Sequence, residues 1–358
     1  MTKSEQHASE VTERAPRLIE ETLDGLYRRH PEMKTRYGAG GRQPCREDIA
    51  YHFQVLTESM LAEDANIFLK YIGWGKSVLI HRKVKADDLL DCLLLMQEVV
   101  TTELGKGAGE RASECIQLAI ETFDSLAEEP PSCIDPSASL GNLANAYLEA
   151  LLSSDRVQAR KVIESAERTG VGFPEIYRHV FEPVQREVGR MWQVNQITVA
   201  QEHYCTANTE MLMSAMRAKA EDKPVDGHLF VGACVAGEQH SIGLRMVCET
   251  MEAQGWRTYF TGANTPTSSV VDLMKRLNVQ VLGLSCATPM QLPSLRLTIA
   301  AVRASGKAAR ILVGGRIFGE FPGLWKKVGA NGFAEDAASA VRVAGKLAGV
   351  KAGQPARL

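Results

Sequence analysis

The chain lacks several features that would each narrow its role. Its eight cysteines are scattered with no Cys-x-x-Cys pair, which argues against a structural zinc site or a disulfide framework. Most of them read as small buried hydrophobes. No basic block stands out, and 41 Lys and Arg nearly balance 43 Asp and Glu. A run of phosphates would therefore find no matching charge, and nucleic-acid binding is not expected. No apolar run is long enough to span a bilayer, and the polar, mixed-charge stretch Met1 to Ala15 has no secretory apolar core. A cytoplasmic protein without a membrane partner is expected.

With 358 residues and 45% hydrophobic content, the chain exceeds one ordinary domain and can fill two or three cores. From about Ile49 to Leu126 the apolar residues fall at three- and four-residue spacings, as at Leu56, Met60 and Leu61 and again at Leu89, Leu93 and Met96. The spacing predicts an all-helical domain over 1–130. Glu128 to Ser137 mixes prolines, acids and serines, which favours an extended linker. A four-helix bundle is predicted over 137–222, from patterns such as Ile176, Val180, Phe181, Val184 and Val188.

The period then changes. Short apolar runs at 228–235, 256–261, 281–285 and 309–313 alternate with helical stretches at 242–254, 267–277 and 292–304. Such alternation predicts an α/β, Rossmann-like domain with a parallel sheet over 226–350. The fold class is thus multidomain: all-α, helical bundle, then α/β.

Ligands of a doubly wound sheet bind beyond the carboxyl ends of its strands, and three loops there stand out. In the first, Val235 to Gly243, Glu238 can hold one ring nitrogen of His240 and leave the other for a metal. The second, Leu284 to Pro289, offers the hydroxyls of Ser285 and Thr288. The third places Gly314 and Gly315 side by side after a buried strand, where a bulky group must approach the backbone.

Taken alone, each is unremarkable: a loop histidine is more often a satisfied polar group than a ligand, and paired glycines often mark only a tight turn. Their order is what discriminates. Glu-x-His-x-x-Gly from Glu238 to Gly243, then a Ser loop, then Gly-Gly, resembles the B12-binding domain of methionine synthase, base-off mutases and CarH-type photoreceptors. The resemblance implies cobalamin held with its own base displaced, His240 as the lower axial ligand to cobalt, and a nucleotide tail passing Ser285, Gly314 and Gly315. Gly262 to Pro266 resembles the family's second-strand loop. The usual acid in the motif is aspartate, and Glu238 departs slightly.

Trp192, nine intervening residues, then Glu202 and His203 resemble the Trp-x9-Glu-His motif of light-sensing B12 domains. The resemblance implies that these three residues surround the adenosyl group of adenosylcobalamin on its upper face. Their plainer reading is a core aromatic and an exposed helix face. CarH-type chains carry a histidine directly after the tryptophan, and this one has Gln193, so a bis-histidine photoproduct by that route is not expected. No MerR-type helix-turn-helix precedes the module in this sequence, so direct DNA binding is not the expected output.

The N-terminal region is similar to the helical, bilin-binding, globin-like domain of photocobilins. His52, Tyr71, Trp74, His81 and Arg82 are chemically suited to a planar chromophore such as biliverdin, although the two histidines read more readily as ordinary helix-surface or core-edge residues than as chromophore contacts. The leading expectation is a non-enzymatic light sensor, homo-oligomeric with a light-dependent state and signalling to a protein partner. A corrinoid carrier for methyl transfer and a light-independent cobalamin sensor are the alternatives.

Overall fold

The structure is a computed structural model that describes residues 1–38, 40–225 and 227–349. Asp226 and Val350, the expected ends of the third domain, lie outside the described residues. The chain divides into two compact units, the first Met1–Pro130 and the second beginning at Pro131.

The first unit is helical: α1 (Lys3–Arg29), α2 (Arg42–Ala62), α3 (Asn66–His81), α4 (Ala86–Glu103) and α5 (Lys106–Glu121). Charge of both signs hides α1 from a search for apolar runs. Its start is nonetheless written in the sequence, because the Thr2 hydroxyl accepts from the Glu5 amide while the Glu5 carboxylate accepts from the Thr2 amide. Val11, Leu18, Leu23 and Leu26 line one stripe and are buried, so tertiary packing holds the helix despite Pro16 within it. Lys76 of α3 is buried and donates to the carbonyls of Phe123 and Leu126, closing the end of the unit.

The second unit opens in extended chain, but this stretch is tied down. The Cys133 amide and Ser132 hydroxyl both donate to Glu187, and Ile134 is buried in the bundle core. The bundle follows as α6 (Gly141–Leu152), α7 (Arg156–Arg168), a stretch from Phe173 that runs into α8 (Glu182–Gln193), and α9 (Val199–Arg217). Tyr177–Phe181, ahead of α8, winds as a π-helix, a feature that spacing did not predict.

The sheet is built from β1 (Leu229–Cys234), β2 (Arg257–Phe260), β3 (Val281–Ser285), β4 (Arg310–Gly314) and β5 (Gly332–Ala334), all parallel in the order β2-β1-β3-β4-β5. Between strands run α10 (Ile242–Ala253), α11 (Thr267–Arg276) and α12 (Leu292–Ala304), and α13 (Ala337–Ala348) follows β5. The order reverses between β1 and β3, and that switch point opens a crevice at the carboxyl ends. Met246 of α10 belongs to the bundle core, so the bundle and the sheet layer share apolar packing.

Candidate functional site

The strand register sets three residues in one row. Cys234 pairs with Ser285 across β1 and β3, and Ser285 pairs with Gly314 across β3 and β4. All three close their strands on the crevice side, as the motif order predicts. Beyond β1 the chain turns through Gly237 and presents His240 at the mouth.

The His240 ring is held from one side. Its Nδ1 lies 2.5 Å from Glu238 Oε1, which also accepts from the His240 amide at 2.8 Å. Glu238 is 0% exposed, whereas the His240 side chain is 71% exposed. The carboxylate thus fixes the tautomer with the proton on Nδ1 and leaves the Nε2 lone pair outward. The hydrogen bond to Glu238 raises the His240 pKa above its ordinary value, against burial. Burial pushes Glu238 up, but His240 and the amides of Ala287 and His240 outweigh it and hold the acid below its ordinary range.

The glycines divide by role. Gly315 has φ +114°, and a Cβ there would stand 2.1 Å from the Cys286 carbonyl oxygen, so only glycine fits. At Gly314 the nearest atom to such a Cβ is the Ala334 carbonyl at 3.5 Å, and at Gly243 nothing lies within 4 Å. Those two positions keep space clear beside the crevice. Ser285 is buried with its hydroxyl against the Cys234 thiol, which burial pushes up to about 12. The Thr288 hydroxyl donates to Gln291 in its own turn, so its proton does not face the crevice as the sequence suggested.

Sequence reasoning missed three contributors: the Cys234 thiol, which contacts the His240 carbonyl, the Ala287 amide, which donates to Glu238 Oε2, and Asn264. The Cys234 position, at the end of an apolar strand, carries a signal, and Asn264 lies in the Gly262 to Pro266 loop that the resemblance marks, although nothing in the sequence shows its bonds.

On the bundle, Trp192 is half-buried near the end of α8 and packs on the bundle core. Glu202 lies in the first turn of α9, behind a capping box of Thr198 and Gln201. Its Oε2 is 2.5 Å from His203 Nδ1 and its Oε1 accepts from Thr206. Thr206 donates to Gln185, Gln185 to Thr209, and Thr209 meets the buried Tyr147 hydroxyl. The Glu202 charge acts on His240 in the direction that raises its pKa, after the larger influence of Glu238.

The first-unit candidates are partly gathered. His52 Nδ1 is 2.9 Å from the Tyr71 hydroxyl, and the Tyr71 and Trp74 rings are 6.1 Å apart. His81 Nδ1 lies 2.8 Å from the Ser77 carbonyl, and Arg82 donates to Val78, both one turn back along the chain. These polar atoms are engaged within the helices.

Residues 229–342 match the family model described as a B12 binding domain, and residues 143–217 match a second model of the same description. The second unit carries B12-binding domains. Its cofactor class is a corrinoid. Among similar curated proteins, dimethylamine corrinoid protein 1 of Methanosarcina mazei is 28% identical over 145 residues, covering 40% of this chain and 65% of that protein. Dimethylamine corrinoid protein 2 of Methanosarcina acetivorans is 27% identical over 220 residues, covering 59% and 98%. The chain thus spans just under two thirds of the first of these relatives. The monomethylamine corrinoid protein of Methanosarcina barkeri shares the fold at 17% identity and TM-score 0.50, covering 58% of this chain and all of that one.

The residues of the B12-binding unit fit a corrinoid on structural grounds. An exposed imidazole is pinned through one nitrogen, a buried carboxylate stands behind it, and glycine positions leave room along the crevice. Among the described residues no cluster of three or more His, Cys, Asp or Glu could hold a bare metal ion. No helix among them is long and apolar enough to cross a membrane.

Proposed function

We propose that the second unit binds cobalamin with His240 Nε2 below the cobalt, and that the chain acts as a corrinoid carrier for methyl transfer between partner proteins. The single observation that carries the ligation is the buried Glu238 holding the exposed His240 ring by Nδ1. The carrier role is supported by the dimethylamine corrinoid proteins to which the bundle and sheet are similar. Bound cobalamin supplies a cobalt centre that accepts and releases a one-carbon group.

The chain's own residues perform the rest. Glu238 holds the Nδ1 proton and keeps the ring oriented. Its charge also favours the protonated ring, so acid competes with ligation at Nε2. Gly314 and Gly243 leave space for the cofactor's bulk, with Ser285 at the level where the nucleotide tail would pass. The chain itself performs no bond-making step in this reading; partner proteins do.

A specific observation favours a second reading. Trp192 lies near the end of α8 and Glu202 and His203 open α9, an order that resembles the upper-face motif of adenosylcobalamin light sensors. One experiment separates the two. The protein is loaded in the dark with methylcobalamin or adenosylcobalamin, and its spectrum and molecular mass are followed under green light. The carrier reading expects methylcobalamin bound and mass unchanged by light. Tight adenosylcobalamin binding with a light-dependent mass would overturn it in favour of the sensor.

A further inference from the structure

The His240 loop is fastened from both neighbouring strands. From the β3 side, the Ala287 amide donates to Glu238 Oε2. From the β2 side, Asn264 grips the loop twice: its Oδ1 accepts from the Gly237 amide at 2.7 Å, and its own amide donates to the Glu238 carbonyl at 2.8 Å. The adjacent Thr265 amide donates to the Cys234 carbonyl at 2.9 Å. Asn264 does this from φ +49°, a left-handed conformation that asparagine tolerates better than most residues. Gly237, its partner, stands at φ +83°. Neither residue contacts the imidazole, yet together they decide where the Glu238 backbone sits.

We infer that Asn264 is a positioning residue for the cobalt ligand: it holds Gly237 and Glu238 so that the carboxylate meets His240 Nδ1 and Nε2 stays aimed outward. This rests on His240 ligating cobalt, as proposed above. The Glu238 carboxylate already accepts from the Ala287 and His240 amides, and its own amide donates to the Val235 carbonyl, but the hold on its carbonyl side comes from Asn264. Pinning the backbone on that side limits its remaining freedom, and the ring inherits the order. Exposure of the Asn264 position is no objection, since its two bonds are to backbone and one uses its own amide.

The test uses the full chain, grown with histidine carrying the heavier nitrogen isotope and loaded with cob(II)alamin. Electron paramagnetic resonance then shows the protein's nitrogen on cobalt as a doublet, where the cofactor's own base gives a triplet. Asn264→Gly keeps the backbone conformation and removes Oδ1. The ratio of doublet cobalt to all other cobalt is expected to fall by about ten-fold or more, as for other outer partners of a metal ligand. Asn264→Asp retains an acceptor and tolerates the same conformation, and should stay within about two-fold of the parent. Thr265→Val, which breaks the hydroxyl pair with Thr261, loosens the same loop without touching Gly237 and serves as the control, with thermal midpoints measured for all.

An unchanged doublet in Asn264→Gly overturns the inference. An equal loss in Thr265→Val at equal thermal midpoint also overturns it, because general loosening would then suffice. His240→Ala distinguishes the underlying reading: a doublet that survives there removes His240 as the ligand, whereas its loss there with none in Asn264→Gly removes only the role of Asn264.

Discussion

Two histidines, one in each unit, make the same kind of bond and end in opposite states. His52 is 4% exposed and shares Nδ1 with the neutral Tyr71 hydroxyl. Burial lowers its pKa to about 4. The side chain of His240 is 71% exposed and shares Nδ1 with the Glu238 carboxylate, which raises its pKa. A charged partner and an open ring leave Nε2 available to a metal; a neutral partner and a closed ring make a core residue. The difference lies in the partner and the solvent, not in the histidine.

The comparison breaks most severely at His240 itself. His240→Ala should weaken cobalamin binding on the order of a thousand-fold, about 4 kcal/mol, measured by titrating the apoprotein. Unaltered affinity would remove the ligand role. His52 makes the opposite prediction, in stability rather than binding. Between pH 6.5 and about 4 the unfolded chain binds a proton that the folded chain refuses. Stability therefore falls as pH falls through that window, by about 3 kcal/mol from this one group. Denaturant titrations of the parent and of His52→Gln should diverge by that amount across the window, and parallel curves would contradict the buried neutral ring.

Glu238→Gln tests whether charge matters beyond geometry. The amide can still accept from His240 Nδ1 but loses the negative charge, and cofactor affinity should fall by about ten- to a hundred-fold. Equilibrium binding at constant pH reads it, and a value equal to the parent would mean that geometry alone suffices. The smallest effect belongs to the bundle. Thr206→Val cuts the bond to Glu202 and should cost about 1 kcal/mol of stability while leaving His240 ligation intact. A loss of ligation in that variant would show the two faces coupled through Glu202.

Much of this was legible in the sequence because the relevant forces are local. β3 is a buried apolar run and was found at its observed bounds. The helix over Leu292–Ala304 is likewise legible, and the motifs put His240, Ser285 and Gly314 at the exits of the first, third and fourth strands, whereas the adjacency of those strands comes from the structure. β5 escaped notice because three residues opening on glycine carry no period. α1 falls within the expected helical domain, but its bounds do not stand out because its apolar stripe is thin among charges, although Thr2 and Glu5 mark its start. Asn264 was missed for a different reason: its role comes from a left-handed backbone and two bonds across a loop, and neither leaves a mark in spacing.

One further property belongs to α10. It starts two residues after His240, buries Met246 among the bundle side chains, and one turn later places Glu249 against the Tyr177 hydroxyl, where the chain winds as a π-helix. Arg245 on the same helix binds both Glu249 and Ser214 of α9. α10 therefore ties the exit of the His240 loop to the helical bundle through apolar packing and two hydrogen bonds. The loop and the bundle are not free to move independently of each other.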